Sequence, residues 1–598
     1  MFRVYHQYGN GVEMGNGSNA ISVFSQLTLI FLVSALSGCG AGSSSSDTTT
    51  APVASLTTST PPAATAPTPA KPTPAKPTPA PTKAVAPTPA PPKPVAPVLA
   101  PPKPVAPVPA PPKSVAPAPA PPPVSTPVSA SNSGDACLAA PMPSSDTLFN
   151  STKRVFAHYF HPFPLSIENN PPAKDYYNTQ YLNKGGESNK WLKQGGYLRQ
   201  RPLGVTPSSS PNWQQLNMEA EVRAAIARGI TGFTFDSMAV SDATDSKSDL
   251  HLMLAAAQAV DSRFKIVIMP DMSALGADTN AVVQIIASVA GSPAAYHLSD
   301  GRLVVSPFDA SLSSPAWWQN VISRLSAQGI QIALVPTFLG WSLSADAFAA
   351  ISYGFSDWGS ATVAGAGALE GDPDIVHSAY KKIFMMPVDP QQYRPKGFVY
   401  WEAGNSAALR GAWTDSIQGD ADWIQLVTWN DLSESSTIEP VTDATLQRNI
   451  GTGFYNLTGY YASWFLTGQQ PIITHDVLYY FYRREPTNAA ASAQSQLAKV
   501  YSGVATNYIE LVGFLTSPGV LKITIGGKTY TQNAAAGIVS FKIPSQPGIP
   551  LFTLSRGSSD VFSFHGGVQI YGPGGLPSAV EDLTYWSGSA AKSGICAL

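Results

Sequence analysis

Two carboxylates, Asp431 and Glu434, stand three residues apart in the stretch 423–440, WIQLVTWNDLSESSTIEP. Such a pair can divide acid and base work, one carboxyl protonating a leaving group while the other takes a proton from water. Residues 423–429 are mostly apolar, with Ile424, Leu426 and Val427, and read as a short buried parallel strand. In barrel and doubly wound folds the carboxyl end of such a strand carries the active site. Trp429 offers a flat apolar face on which a ring can stack, and Asn430 sits between it and the acids. The same residues also have a purely local reading, in which Asn430 and Asp431 cap a turn and Glu434 closes the cap.

The elements needed to position this strand alternate along the chain. Residues 154–160, RVFAHYF, form the first expected strand, with His158 near its end. A long aromatic loop follows, carrying Tyr176, Tyr177, Trp191 and Tyr197. Apolar residues at three- and four-residue spacing predict a helix over 212–228, ended by Gly229. Strand 230–235, helix 246–260, strand 264–269, helix 278–290, strand 302–307, helix 314–327, strand 330–335, a segment at 351–355 and strand 382–386 come next. With 423–429 this makes an alternating series that argues for an α/β fold of the (β/α)8 TIM-barrel type, expected over 146–487. Asp236, Asp271 and Asp357 fall at strand ends beside Asp431 and Glu434. Singly, each reads best as a helix cap or a solvated charge; together, in a closed barrel, they converge on one mouth. His158, Asp236, Asp271, Trp358, Glu402, Trp429 and Asn430 are the expected substrate-binding residues. From residue 488 the pattern changes to short alternating strands at 508–515, 520–525, 528–532, 538–543, 551–555 and 568–571. Gly526-Gly527 is a hairpin signal. An antiparallel β-sandwich is expected over 488–598, with 476–484 as a connector.

Several stretches, in order, resemble the glycoside hydrolase family of α-1,3-glucanases (mutanases), glycoside hydrolase family 71. They are VFAHYF at 155–160, GITGF at 229–233, PDMS at 270–273, RLVVS at 302–306, FMMPV at 384–388, TWND with Glu434, and YFYR at 480–483. The resemblance implies a barrel that hydrolyses α-1,3-glucan with inversion, using Asp431 and Glu434. Glu434 is taken as the acid and Asp431 as the base, although the residues alone do not fix which is which. The chain departs from the family in two places. Gly404-Asn405-Ser406 stands where an acidic pair is usual, and Ser436-Thr437 where His-Tyr is common.

Net charge is −2, from 36 basic and 38 acidic residues, which gives no nucleic-acid footprint. The 12 Trp and 23 Tyr suit sugar binding. No HExxH and no phosphate-binding glycine loop is present, so neither metal nor cofactor is expected. The first 39 residues resemble a lipoprotein signal: an apolar run ends in Leu36-Ser37-Gly38-Cys39, with Cys39 as the lipidated residue. Residues 40–135 are Ser/Thr-rich and then Pro/Ala/Lys-rich, with a decapeptide repeated at 86–95, 96–105 and 106–115. Pro at this density favours polyproline II, and about 80 residues at roughly 3.1 Å each could reach on the order of 250 Å. This linker is expected to be disordered and to act as a stalk. The two remaining cysteines, Cys137 and Cys596, flank the folded part of an exported chain and are expected to pair.

The chain therefore reads as an exported, membrane-anchored, monomeric hydrolase whose partners are an α-glucan and, through the lipid, a membrane. Two other readings use the same residues. A non-catalytic glycan-binding lipoprotein would keep the aromatics and need neither carboxylate. A barrel hydrolase of a different α-glucan would keep both. The anchor has its own test: Cys39→Ser should shift the protein from the membrane to the soluble fraction. An unaltered protein that is already fully soluble would refute it.

Overall fold

The structure, a computed structural model, describes residues 137–443, 449–574 and 580–596. The signal, Cys39 and the Pro-rich linker lie outside the described residues.

The main sheet is parallel and its strands follow the expected series. They are β1 Arg154–Tyr159, β2 Gly232–Ser237, β3 Lys265–Pro270, β4 Leu303–Val305, β5 Ile332–Leu334, β6 Gly354–Asp357, β7 Ile383–Val388 and β8 Trp423–Leu426. A ninth segment, Thr337–Phe338, continues β5 after a break at Pro336, which has no N–H to give to a ladder. These two pieces of one stretch stand at opposite ends of the sheet order. Val335 and Thr337 N–H bond the carbonyls of Val305 and Pro307 on one side, and Tyr353 and Ser356 N–H bond those of Leu334 and Pro336 on the other. Nine segments with two in one stretch leave eight strands, and the ring closes at β5 as an α/β barrel. β1 lies between β8 and β2, in register Ala157 to Leu426 and Ala157 to Phe233.

Helices α1 Trp213–Ile226, α2 Asp249–Val260, α3 Thr279–Val289, α4 Pro315–Ser326 and α5 Ala407–Gln418 connect strands, and α6 Thr452–Thr467 follows β8. Their starts are written in the sequence. Ser248, Asp278 and Ser314 accept N–H bonds from their first turns, and Pro315 occupies the first position of α4. Between β5 and β7 the connections are only short helical turns. Side chains alternate along every strand, so one face packs under the helices and the other fills the ring. On β1, Val155, Ala157 and Tyr159 join the helix-facing core, whereas Phe156 meets Val267, Val304, Met385 and Trp423 inside.

Two antiparallel sheets follow. One runs β13 Gly537–Pro544, β10 Tyr508–Leu515, β9 Val477–Arg483 and β16 Tyr585–Ala591, edged by Gly594–Ile595. The other runs β12 Lys528–Ala534, β11 Gly519–Ile525, β14 Leu551–Arg556 and β15 Ser559–His565. They share a core in which Tyr480 stacks on Phe552 at 5.2 Å. Two expectations are corrected here. Residues 476–484, read as a connector, supply the central strand β9, because all seven of its residues are buried between β10 and β16. Residues 568–571 form no strand and make only the Gly548–Ile570 bridge, while β15 and β16 were not anticipated.

Cys137 and Cys596 are joined in a disulfide with Cα atoms 5.5 Å apart. Beside it, the Tyr479 hydroxyl donates to the Cys137 carbonyl and Thr474 N–H to Ala139, so the chain's entry is stitched to the last sheet. The bond closes 459 residues of sequence. Cys596→Ser should lower unfolding free energy by about 2–4 kcal/mol, measured by denaturant titration, with turnover preserved. Recovery of both cysteines as free thiols from exported protein would rule the bond out.

Candidate active site

The inward face of the barrel ends in a layer of polar side chains. On β1 the inward position above Phe156 is His158; on β2 it is Asp236, which follows Thr234. Both are buried, at 3% exposure, with His158 Nε2 3.8 Å from Asp236 Oδ2. Burial lowers the His158 pKa to about 3 and pushes Asp236 well above the carboxylate range, with Asp271, Asp242 and Asp431 adding to the latter. With its pKa at about 3 the His158 imidazole is neutral at physiological pH, so this close approach is not an ion pair. Trp358, half-buried, continues the inward face of β6 and packs edge-on against His158 at 4.9 Å and Phe308 at 4.7 Å. His158, Asp236, Asp271 and Trp358 thus come together as expected.

Asp271 and Asp431 are built alike. Oδ1 of Asp271 accepts from Ser273 N–H at 2.8 Å, Ser273 Oγ at 2.6 Å and Ala274 N–H at 3.2 Å. Oδ1 of Asp431 accepts from Ser433 N–H at 2.8 Å, Ser433 Oγ at 2.8 Å and Glu434 N–H at 3.2 Å. Each Asp-X-Ser sequence folds its acid back over the next turn, which concentrates all three donors on one oxygen. Burial, with the nearby Glu434 carboxylate, raises the Asp431 pKa to about 6. Glu434 does not close the cap. Its carboxylate ion-pairs with Arg394 at 2.8 Å and accepts a hydrogen bond from Gln392 Nε2. Both partners lie on Gln392–Arg394, which pairs with Val399–Trp401 and, beyond it, with Lys499–Ser502. Tyr197, stacked on Trp191 at 4.6 Å, bonds Ser433 from the long loop. Beside it is a cavity of about 160 Å³ lined by Phe160, His161, Trp191, Tyr197, Asp242 and Asp249. Two larger cavities, of about 660 and 610 Å³, open at the opposite ends of the strands and hold none of these acids.

Three expected binding residues, Trp429, Asn430 and Glu402, are occupied elsewhere, as is the strand-end carboxylate Asp357. Trp429 is 1% exposed and packs on Phe233 at 5.5 Å in the helix-facing core, so it offers no stacking face. The chain leaves β8 at Leu426, and Trp429 N–H bonds the His158 carbonyl while Glu439 N–H bonds the Trp429 carbonyl. This turns the ring behind the mouth. Asn430 is a loop clamp: Oδ1 accepts from Phe160 N–H, and Nδ2 donates to the carbonyls of Phe160 and Phe163. Asp357 points outward by alternation and accepts N–H bonds from Gly340, Trp341 and Gly359. Glu402 lies where the barrel meets the last sheets. It ion-pairs with Arg483 at 2.9 Å and accepts from Gly404 N–H, Thr506 N–H and the Tyr585 hydroxyl. Burial works to raise its pKa, but the Arg483 guanidinium and these donors hold its carboxyl below the usual range. One acid was missed. Asp389, at the next inward position beyond β7, is 6% exposed and borders the same mouth. Alternation from Met385 through Pro387 would have found it, had the strand been carried past residue 386.

The chain matches the family model of glycosyl hydrolase family 71 over residues 207–596. It is a glycoside hydrolase and belongs to that family. It is 26% identical to a glucan endo-1,3-alpha-glucosidase of Schizosaccharomyces pombe, covering 62% of this chain and 89% of that protein. It is likewise 26% identical to a mutanase of Penicillium rubens, covering 60% of this chain and 82% of that one. Among solved structures it is similar to a family 99 endo-alpha-mannosidase from Bacteroides thetaiotaomicron, at 16% identity and a TM-score of 0.40, over 52% of this chain and 97% of that one.

Glu402→Gln should separate structure from chemistry. It leaves Arg483 buried without its counter-charge, so unfolding free energy should drop by about 3–5 kcal/mol while turnover per folded molecule is kept. Because the native pKa is depressed, the wild-type contribution is present above the unfolded carboxylate pKa and is lost as pH falls through the native one. Chemical denaturation at pH 7 and at acid pH, beside reducing-sugar assays, tests this. A stable variant without turnover would return Glu402 to the active site.

Proposed function

We propose that this protein is an endo-acting, inverting hydrolase of α-1,3-glucan, exported and held at a cell surface by a lipid on Cys39. The reading of the substrate rests on the family and on the activities of the relatives. The reading of the chemistry rests on one observation: three donors converge on Oδ1 of Asp431, beside the Glu434 carboxylate, and none of them engages Oδ2. Asp431 then has one oxygen to fix its orientation and one for the reaction. As the base, it takes a proton from the water that attacks the anomeric carbon, and a carboxyl at about 6 is a stronger base than an ordinary Asp. Glu434, oriented by Arg394 and Gln392, protonates the departing glycosidic oxygen. His158, Asp236, Asp271 and Trp358 bind the sugar across the barrel mouth, with Trp358 supplying the apolar face that Trp429 does not. The two antiparallel sheets form a sandwich that braces the barrel and its Gln392–Arg394 wall.

A second assignment has an observation of its own. The free Oδ2 of Asp431 can equally carry a proton, which would make Asp431 the acid and Glu434 the base. Asp431→Asn and Glu434→Gln should each lower turnover on insoluble α-1,3-glucan by about 10²–10⁴-fold, with binding of the polymer retained. The sign of the pH profile separates the roles. A base with a pKa of about 6 makes kcat/KM fall as pH drops below that value, whereas an acid makes it fall as pH rises above it. Azide should restore activity to the base variant only. Full turnover by Asp431→Asn would end the assignment to this loop, and release from other glucans alone would move the substrate.

A further inference from the structure

We propose that Asp389 is a third functional carboxyl of this cleft, a hydrogen-bond donor that binds a hydroxyl of the sugar lying against Glu434. The proposal rests on the glycosidase reading above and adds a binding residue to it.

The placement follows from alternation. Phe384, Met386 and Val388 pack outward under the helices, and Met385 points into the ring. Asp389 therefore continues the inward face, one step past the end of β7, at the level where the acids of the mouth stand. It is more than nine-tenths buried. Its neighbours make room for it and give it nothing to bond. Gly359 has a left-handed φ of +79°, and a Cβ there would lie 2.7 Å from Asp389 Oδ2 and 2.9 Å from Pro387. Among the described residues, no hydrogen bond reaches the Asp389 carboxyl. The other acids differ. Asp357 holds three backbone N–H groups, Asp271 and Asp431 each cap a turn, and Glu434 has Arg394 and Gln392.

The charges that face Asp389 are Glu434, from the loop after β8, and Asp357, at the end of β6. Both are acidic. Arg394, which pairs with Glu434, is not among the charges acting on Asp389. Burial and the two neighbouring carboxylates push Asp389 well above the usual carboxylate pKa, which favours its protonated form. A protonated carboxyl has one O–H to give and oxygen lone pairs to accept with. Among the described residues the protein supplies no partner for that donor, so it is open to one from the cleft. A glucosyl unit, with hydroxyls that accept and donate at once, completes it.

The test uses the full-length protein and soluble α-1,3-linked gluco-oligosaccharides. Asp389→Asn keeps a donor at the same place and should keep kcat/KM near the wild-type value. Asp389→Ala removes it and should lower kcat/KM roughly tenfold, mainly through KM. The wild-type KM should also rise at alkaline pH, where Asp389 ionises and loses its donor, and Asp389→Asn should lack that rise. If Asp389→Ala fails to fold, Asp389→Ser takes its place, with thermal melts as the control. The proposal is overturned if the folded Ala or Ser variant matches wild type in KM, if Asn loses as much as Ala, or if the alkaline rise persists in Asp389→Asn. Wild-type protein that cleaves no glucan would instead refute the glycosidase reading. If it cleaves a different glucan, the same comparison is made on that polymer.

Discussion

Burial of carboxyl groups without matching cations governs the mouth of this barrel. Asp236, Asp271, Asp389 and Asp431 are each pushed above the ordinary carboxylate pKa, and in each case loss of water is the first cause. Arg394 is the guanidinium that enters the group, and it goes to Glu434. The consequence is chemical. Acids crowded into a dry site cannot all ionise, so their protonation states are set apart from one another, as division of acid and base labour requires. The crowding is created by ring closure. Strands far apart in sequence, β2 and β7 among them, deliver their last inward side chain to the same level, and the helix-facing core holds the ring shut around them.

The last sheets belong to the same arrangement. Gln392 and Arg394, which fix Glu434, sit on a small sheet whose far strand is Lys499–Ser502. The turn after that sheet is pinned by the buried Glu402–Arg483 pair, and Tyr393 donates to the Glu581 carbonyl. Across the mouth, Arg199 of the long loop bonds the same Glu581 carbonyl. Asn405 and Ser406 then reach into the last sheet: Asn405 donates to the Phe481 and Tyr508 carbonyls, and Ser406 to Glu510. Residues that depart from the family pattern at 404–406 thus serve to dock the sheets. Glu434 is thus held in place by contacts that run into residues beyond 480.

Much of this was legible in the chain. The β8 stretch, the Asp-X-X-Glu spacing and the alternating series gave the ring, because buried parallel strands and amphipathic helices have periods that survive in one sequence. His158, Asp236 and Asp271 were found by standing at strand ends. Trp429, Asn430, Asp357 and Glu402 were not separable from them, since a strand-end residue can turn inward or outward and only the register decides. Asp357 and Asp389 make the point. Both follow parallel strands and both are acids, yet one step of alternation sends Asp357 to backbone N–H groups and Asp389 to the mouth. Strand β9 escaped notice because VLYYFYR has no polar alternation, and it has none because it is buried on both faces at the centre of its sheet.

The cap reading and the catalytic reading of Asp431 looked like alternatives in the sequence, and the structure shows why they need not compete. A carboxyl has two oxygens. In Asp-Leu-Ser-Glu one of them, Oδ1, collects the backbone and hydroxyl donors of the turn. That cap is what removes rotational freedom from the side chain and aims the other oxygen. Asp271 repeats the device at β3 with Asp-Met-Ser, where no glutamate follows. What distinguishes the two positions is therefore not the cap but its surroundings: Asp431 has Glu434 beside it, with Arg394 and Gln392 holding that second carboxylate.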